Sequence, residues 1–196
     1  MTMTKKDALL KAAKELFGEC GYTETTFKKI SERAGVALGL LTHHYGNKEK
    51  LFLAAGIDVL EHFLEVLQDA CEKGQDGRES VLNFCRAYLD FSIDPTSNWL
   101  VLVRCSPYSD MKTGSDREVM FKKFNEVHQL LEQQLWRGLE DGSIREILVK
   151  ETAQILMSLV VGVNRTRVLT PYAPPHLYRE AVDFAARAIT PCNACE

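Results

Sequence analysis

Apolar positions recur three and four residues apart along most of this chain, and no stretch alternates apolar and polar over the four to eight residues of a half-buried strand. The pattern therefore predicts helices throughout. A first helix spans about Lys5–Cys20 and stops at Gly21. Thr25 and Thr26 are candidate caps for a second, because a hydroxyl accepts from the unpaired amides of a first helical turn. Phe27, Ile30 and Ala34 form the inward face of that helix, with Lys28, Lys29 and Arg33 on its other sides. Gly35 follows, where a helix end favours a left-handed residue. Val36 packs back between this helix and the next. A short third helix covers Ala37–Tyr45, with Leu41 and Tyr45 as its buried pair and Gly39 allowing close backbone approach. Gly46-Asn47 ends it, and Asn47 caps a fourth helix starting at Lys48.

Beyond residue 47 the same spacing continues. The fourth helix runs past Leu60 and Leu67 towards Glu72, and a Gly-rich loop over 73–77 follows. A fifth covers Arg78–Ile93 and is broken by Asp94-Pro95; a sixth covers Thr96–Cys105. Ser106–Ser115 is a polar connection. A seventh helix, Asp116–Glu140, carries Phe121, Phe124, Val127, Leu131, Leu135 and Leu139 on one stripe. The eighth covers Lys150–Leu169, and the ninth His176–Ile189 after a loop with three prolines. The fold class is all-α. An N-terminal three-helix helix-turn-helix domain (1–47) precedes a larger helical bundle (48–190) and a short tail (191–196), with about nine helices in total.

A helix, a Gly-containing turn and a second short helix over residues 26–45 form the unit that lays one helix in the DNA major groove. Charge supports that placement. The first fifty residues hold nine Lys and Arg against six Asp and Glu, a net of +3, whereas the whole chain is −3. A basic end attracts phosphate and an acidic body does not. At 196 residues and 45% apolar composition, the chain has enough apolar surface for a real core. No run approaches the ~20 apolar residues of a membrane span, and the N-terminus lacks a signal-peptide core. A cytoplasmic location with reduced thiols, and no membrane association, is expected.

Ala12-Ala13, Leu16-Phe17, Gly21-Tyr22, Thr25-Thr26, Ile30, Ala34-Gly35-Val36, Gly39, Leu41, His43, Tyr45, Lys48-Glu49 and Leu51-Phe52 match, in order and spacing, the DNA-binding domain of the TetR family of bacterial regulators. The N-terminal quarter of the chain resembles that family. The resemblance implies that Thr25 and Thr26 touch phosphate, that residues 37–44 form the recognition helix, and that Lys48 meets phosphate at the start of the fourth helix. Glu49 is expected to favour the helix start rather than DNA.

The chain departs from the family pattern within the recognition helix. Ala37 stands where Ser or Thr is usual, Leu38 where a polar residue is, Leu40 where a small hydroxylated one is, Thr42 at a Tyr position, and His44 at another aromatic position. The helix is unusually apolar. Leu38 and Leu40 either contact thymine methyls or pack within the domain. His43 and His44 either donate to bases or phosphates or serve as capping and packing groups. The expected DNA-binding set is Thr25, Thr26, Ala37, Leu38, Leu40, Thr42, His43, His44 and Lys48.

The last two helices are apolar over more than one face, which requires burial on several sides. The resemblance implies that they pair with their copies in a homodimer, with Leu156, Val160, Val163, Leu177, Ala181, Phe184, Ala185 and Ala188 at the interface and Gly162 permitting close approach. A two-fold dimer would read a roughly palindromic double-stranded operator. The resemblance also implies a cavity in the bundle for a small-molecule effector. Candidate lining residues are Tyr88, Trp99, Arg104, Tyr108 and Asn164, and Arg104 suits an anionic ligand. His128 sits among surface-type residues. Cys20, Cys71, Cys85 and Cys105 suit small buried fillers, while Cys192 and Cys195 form a terminal CxxC pair that supplies too few ligands for structural zinc. No metal or other cofactor is expected.

No phosphate loop, metalloprotease helix or nucleophile elbow is present, so catalysis is not expected. The function indicated is a dimeric transcriptional regulator, a repressor released by ligand. The alternatives are a thiol- or metal-responsive regulator using Cys192 and Cys195, and a DNA-binding factor that needs no ligand.

Overall fold

Thr4 starts the first helix. Its hydroxyl accepts the amide of Asp7 (3.1 Å) while its own amide donates to the Asp7 carboxylate, a reciprocal cap. This computed structural model describes residues 3–104 and 114–191, with side chains throughout except at residues 104 and 114–117. Among the described residues there are nine helices and no strand. They are α1 (Lys5–Glu24), α2 (Phe27–Ala34), α3 (Leu38–Tyr45), α4 (Lys48–Glu72), α5 (Gly77–Ile93), α6 (Trp99–Arg104), α7 (Gly114–Glu140), α8 (Val149–Leu169) and α9 (Leu177–Ile189). None of the described helices is long and apolar enough to cross a membrane.

Packing divides the chain into two compact units, residues 1–62 with 94–124 and residues 63–93 with 125–196. The expected functional boundary near residue 47 is not where packing divides the chain, because α4 continues unbroken from 48 to 72.

In the first unit, α1 is the hub against which α2, α3 and α6 pack. Leu9, Ala13, Phe17, Ile30, Leu41, Leu51 and Val101 are fully buried there. Gly21 adopts φ 79°, so α1 kinks and adds one more turn to Glu24 instead of stopping. Helix α6 is shorter than expected. The Asp94 carboxylate accepts from the amide and hydroxyl of Thr96, Ser97 donates its amide to the Asp94 carbonyl, and Asn98 sits at φ 56°. This Asx turn uses residues 94–98, and the helix begins only at Trp99.

In the second unit, α5, α8 and α9 pack on one another. A Cβ on Gly77 would lie 2.1 Å from the Gly138 nitrogen, so only glycine allows the start of α5 to meet α7. The junction is tied by polar groups: Asp141 accepts the Gly77 amide (2.7 Å), and Arg137 donates to Ser80 Oγ (3.0 Å) and the Gly74 carbonyl (3.2 Å). Phe63 packs edge-on to Tyr88 with ring centroids 5.0 Å apart. A half-buried polar chain links three helices, with Ser92 and Tyr178 hydroxyls 3.0 Å apart and Tyr178 donating to Asn164 Oδ1 at 3.4 Å.

Several expectations are corrected here. The α7 stripe is interrupted, since Met120, Val127, Leu131 and Leu135 are buried but Phe121 is exposed. His128 is half-buried, with Nε2 3.2 Å from Glu132, not simply solvated. Cys20 is exposed, whereas Cys71 and Cys85 are buried fillers. Gly39 and Gly162 have no neighbour within 4 Å of a built Cβ, so neither mediates close packing within the chain. Leu156, Val160, Ala181 and Ala185 are buried among the chain's own helices, so their surface is not free for a second subunit. The helix period explains why: 153, 156, 160 and 164 form the inward stripe of α8.

Candidate nucleic-acid interface

The reading head is built on α1. Thr26 caps α2 by accepting the Lys29 amide (3.2 Å). Gly35, at φ 63°, closes α2 in the left-handed region and donates to the Glu32 carbonyl. The Val36 amide bonds the Ser31 carbonyl, and the chain turns into α3. Leu41 and Tyr45 then pin α3 to the domain, and the Tyr45 hydroxyl reaches the Lys6 carbonyl (3.3 Å). Burial raises the Tyr45 phenol above its ordinary pKa.

With that pair turned inward, the opposite side of α3 is open. Ala37, Leu38, Gly39, Thr42, His43 and His44 are exposed, and Leu40 is half-buried. Leu38 is 48% exposed. The His43 and His44 rings stack edge-to-face, 5.4 Å apart. Helix α3 contains no Lys, Arg, Asp or Glu, and its start has no side-chain cap. Seven of the nine residues expected at DNA thus lie on or beside this surface: Ala37 at the N-cap of α3, Leu38, Leu40, Thr42, His43 and His44 on α3, and Thr26 at the exposed start of α2.

The other two do not present their side chains as expected. Thr25 is fully buried, and its hydroxyl donates to the carbonyls of Leu16 (3.1 Å) and Gly21 (2.7 Å). It stitches the kinked end of α1 and offers no surface to phosphate. Lys48 is half-buried. Its ammonium donates to the carbonyls of Tyr22 (2.8 Å) and Thr25 (3.0 Å) and lies 4.3 Å from the Tyr22 ring centroid. An ammonium has three donors, and at least two are committed to the end of α1. Phe17, Tyr22 and Phe52 form the aromatic cluster beneath it. The charge that sequence assigned to phosphate is used here as a clamp on the α1 terminus.

Other cations sort in the same way. Arg33 donates to Glu19 (2.8 Å), whose carboxyl that bond holds below its usual range, and lies 3.8 Å from Glu15. Lys29 caps the Glu24 carbonyl (2.8 Å). Lys28 and Lys50 remain exposed near the two ends of the motif. Neither was singled out from sequence, because a lysine's spacing does not reveal whether its head is already engaged.

Residues 9–55 match the family model described as bacterial regulatory proteins, tetR family. The HTH-type transcriptional repressor AcnR of Corynebacterium efficiens is 38% identical over 52 residues, which are 26% of this chain and 28% of AcnR. Residues 9–55 are thus a DNA-binding domain of the TetR family. Similarity to transcriptional regulators extends past this domain. The HTH-type transcriptional regulator YhgD of Bacillus subtilis is 23% identical over 163 residues, 83% of this chain and 84% of YhgD. A transcriptional regulator from Saccharomonospora viridis, solved in complex with choline, superposes with a TM-score of 0.82 at 16% identity, covering 94% of this chain and 96% of that one. These relatives are transcriptional regulators, not enzymes.

The effector candidates are distributed between the units. Tyr88 and Asn164 are buried in the second, where burial pushes the Tyr88 phenol well above its ordinary pKa. Trp99 is buried in the first. The side chain of Arg104, and Tyr108, Cys105, Cys192 and Cys195 entirely, lie outside the described residues. Among the described residues no group of three or more His, Cys, Asp or Glu is placed to hold a metal.

Proposed function

We propose that this TetR-family regulator is a homodimeric repressor that grips a palindromic operator with α3 and is released by a small molecule bound in the body. The observation that carries the reading is the exposed, uncharged face of α3, held outward by Leu41 and Tyr45. A recognition helix needs such a face, and the rest of the domain needs no exposed leucine there. Repression is favoured by the similarity to AcnR, a repressor by name. Residues 1–47 act as the reader, residues 48–190 as effector and dimerisation body, and 191–196 as a tail, in the cytoplasm.

The dimer uses α8 and α9. Ile155 (62%), Val161 (45%), Leu169 (50%) and Phe184 (55%) are exposed apolar side chains on these two helices, with Val163, Leu177 and Ala188 half-buried beside them. Leu148, Thr152, Ile155, Leu159, Gly162, Thr166 and Leu169 alternate spacings of four and three, the seam of a paired helix. The effector is a small organic molecule, in keeping with the choline-bound neighbour. Tyr88 and Asn164, both buried in the second unit, are the candidate lining that the described residues offer. Release follows from a population shift: ligand favours a spacing of the two α3 helices that no longer fits the operator. Helix α4, which starts at Lys48, is the lever.

Fluorescence anisotropy with the chain's own upstream intergenic DNA tests this directly, with a scrambled duplex alongside and a panel of small organic cations and acids added to the complex. Selective, salt-sensitive binding that a compound reverses is expected. Selective binding that no compound in a broad panel relieves would favour the ligand-independent factor.

A further inference from the structure

We infer that Leu38 reads the 5-methyl group of a thymine in each operator half-site, with Gly39 seating the helix against the groove. The inference rests on α3 being the reading helix and names what it reads. Three observations lead to it. Leu38 is the first residue of α3 and is 48% exposed, while Leu40, the other leucine of this segment, is half-buried. The two sequence alternatives therefore divide between them, with Leu38 left to an outside partner and Leu40 turned partly into the domain. Next, no residue of α3 carries a formal charge other than through histidine, and both histidines sit at its far end. The N-terminal half of a recognition helix meets base edges, and here that half offers only methyl groups and backbone.

Gly39 is the third observation. Glycine weakens a helix relative to alanine, yet Gly39 lies inside α3, with no positive φ and no neighbour within 4 Å of a built Cβ. Nothing within the chain requires it. A missing Cβ on the exposed face beside Leu38 lets the α3 backbone come close to a base-pair edge. The thymine methyl is the one apolar group that the major groove presents, so it is the partner that suits an exposed leucine. Arginine or asparagine at this place would select guanine or adenine instead; leucine selects thymine by burying its methyl.

The experiment starts with enrichment of random duplexes on the full-length chain. Each thymine of the winning duplex is then replaced in turn by deoxyuridine, which removes only the methyl. Loss of about fourfold in affinity at one thymine per half-site is expected, the worth of one buried methyl. Leu38→Ala should bind the methylated and demethylated duplexes equally while keeping the parent Tm. Gly39→Ala should lose at least tenfold in affinity and melt no lower than the parent. Equal affinity for every deoxyuridine duplex would overturn the inference, and so would a methyl effect that persists in Leu38→Ala. Failure to enrich any duplex would overturn the reading role of α3 itself, and this assignment with it.

Discussion

Lys48 shows how a residue's identity and its employment can differ. Its position matches a phosphate-contacting lysine, but its ammonium is held by the Tyr22 and Thr25 carbonyls. Lys48→Ala is therefore expected to lower the stability of the reading head by about 1 kcal/mol and leave the slope of log affinity against log salt nearly unchanged. A slope reduced by about one with an unaltered Tm would instead make Lys48 a phosphate contact. Thr25 is the parallel case. Thr25→Val keeps the shape but removes the one hydroxyl proton shared by the Leu16 and Gly21 carbonyls, and chemical denaturation should show a loss of about 1–2 kcal/mol. Among the cysteines, burial pushes both Cys71 and Cys85 up to about 12, so almost no thiolate exists at pH 8. A thiol reagent followed by peptide mass mapping should label Cys20 in the native protein and leave Cys71 and Cys85 untouched until unfolding; rapid native labelling of either would contradict their burial.

At the scale of elements, helices were legible wherever apolar spacing ran beyond two turns, and α2 and α3 were legible from caps and glycines. The orientation of those helices was less so. The recognition helix was predicted from Ala37–Tyr45 with Leu41 and Tyr45 inward, and that is how it packs. On α8 the apolar residues occupy two stripes, and sequence does not say which one faces home; the inward stripe took Leu156 and Val160, which had been assigned to a partner. The distinction is testable. Ile155→Asp or Phe184→Asp should halve the sedimentation mass without loss of helix content, whereas Leu156→Ala should cost about 2–5 kcal/mol of stability. A dimer that survives Ile155→Asp and Phe184→Asp together would remove α8 and α9 from the interface. The junction of α5 and α7 adds a pH dependence. Hydrogen bonds from the Ser143 hydroxyl, the Gly77 amide and the Ser143 amide hold the Asp141 carboxyl below its ordinary value of 3.8. Its contribution is therefore complete above that value and is lost as pH falls through the lower folded pKa. Acid unfolding of Asp141→Asn should show a shallower fall below pH 4, with parent and variant converging at the acid end; parallel curves would mean the carboxylate is not coupled to folding.

For the molecule as a whole, charge and motif divide the chain near residue 47, whereas packing divides it elsewhere. A basic N-terminal fifty residues and an acidic remainder point to a reader and a body. Packing assigns α6 and the start of α7 to the unit containing the reader, and α6 joins it by packing on α1, far away in sequence. The proposed effector site was the least legible feature, since Tyr88, Trp99 and Asn164 are ordinary buried residues until a ligand distinguishes them. Everything proposed for this chain depends on α3 being a sequence-selective reader of DNA. The most direct test of that role is the ratio of Kd values for an enriched duplex and its scrambled counterpart, measured on the full chain at one physiological salt concentration. A preference of at least ~10³ with two chains per duplex is expected; equal affinity for both duplexes would contradict it.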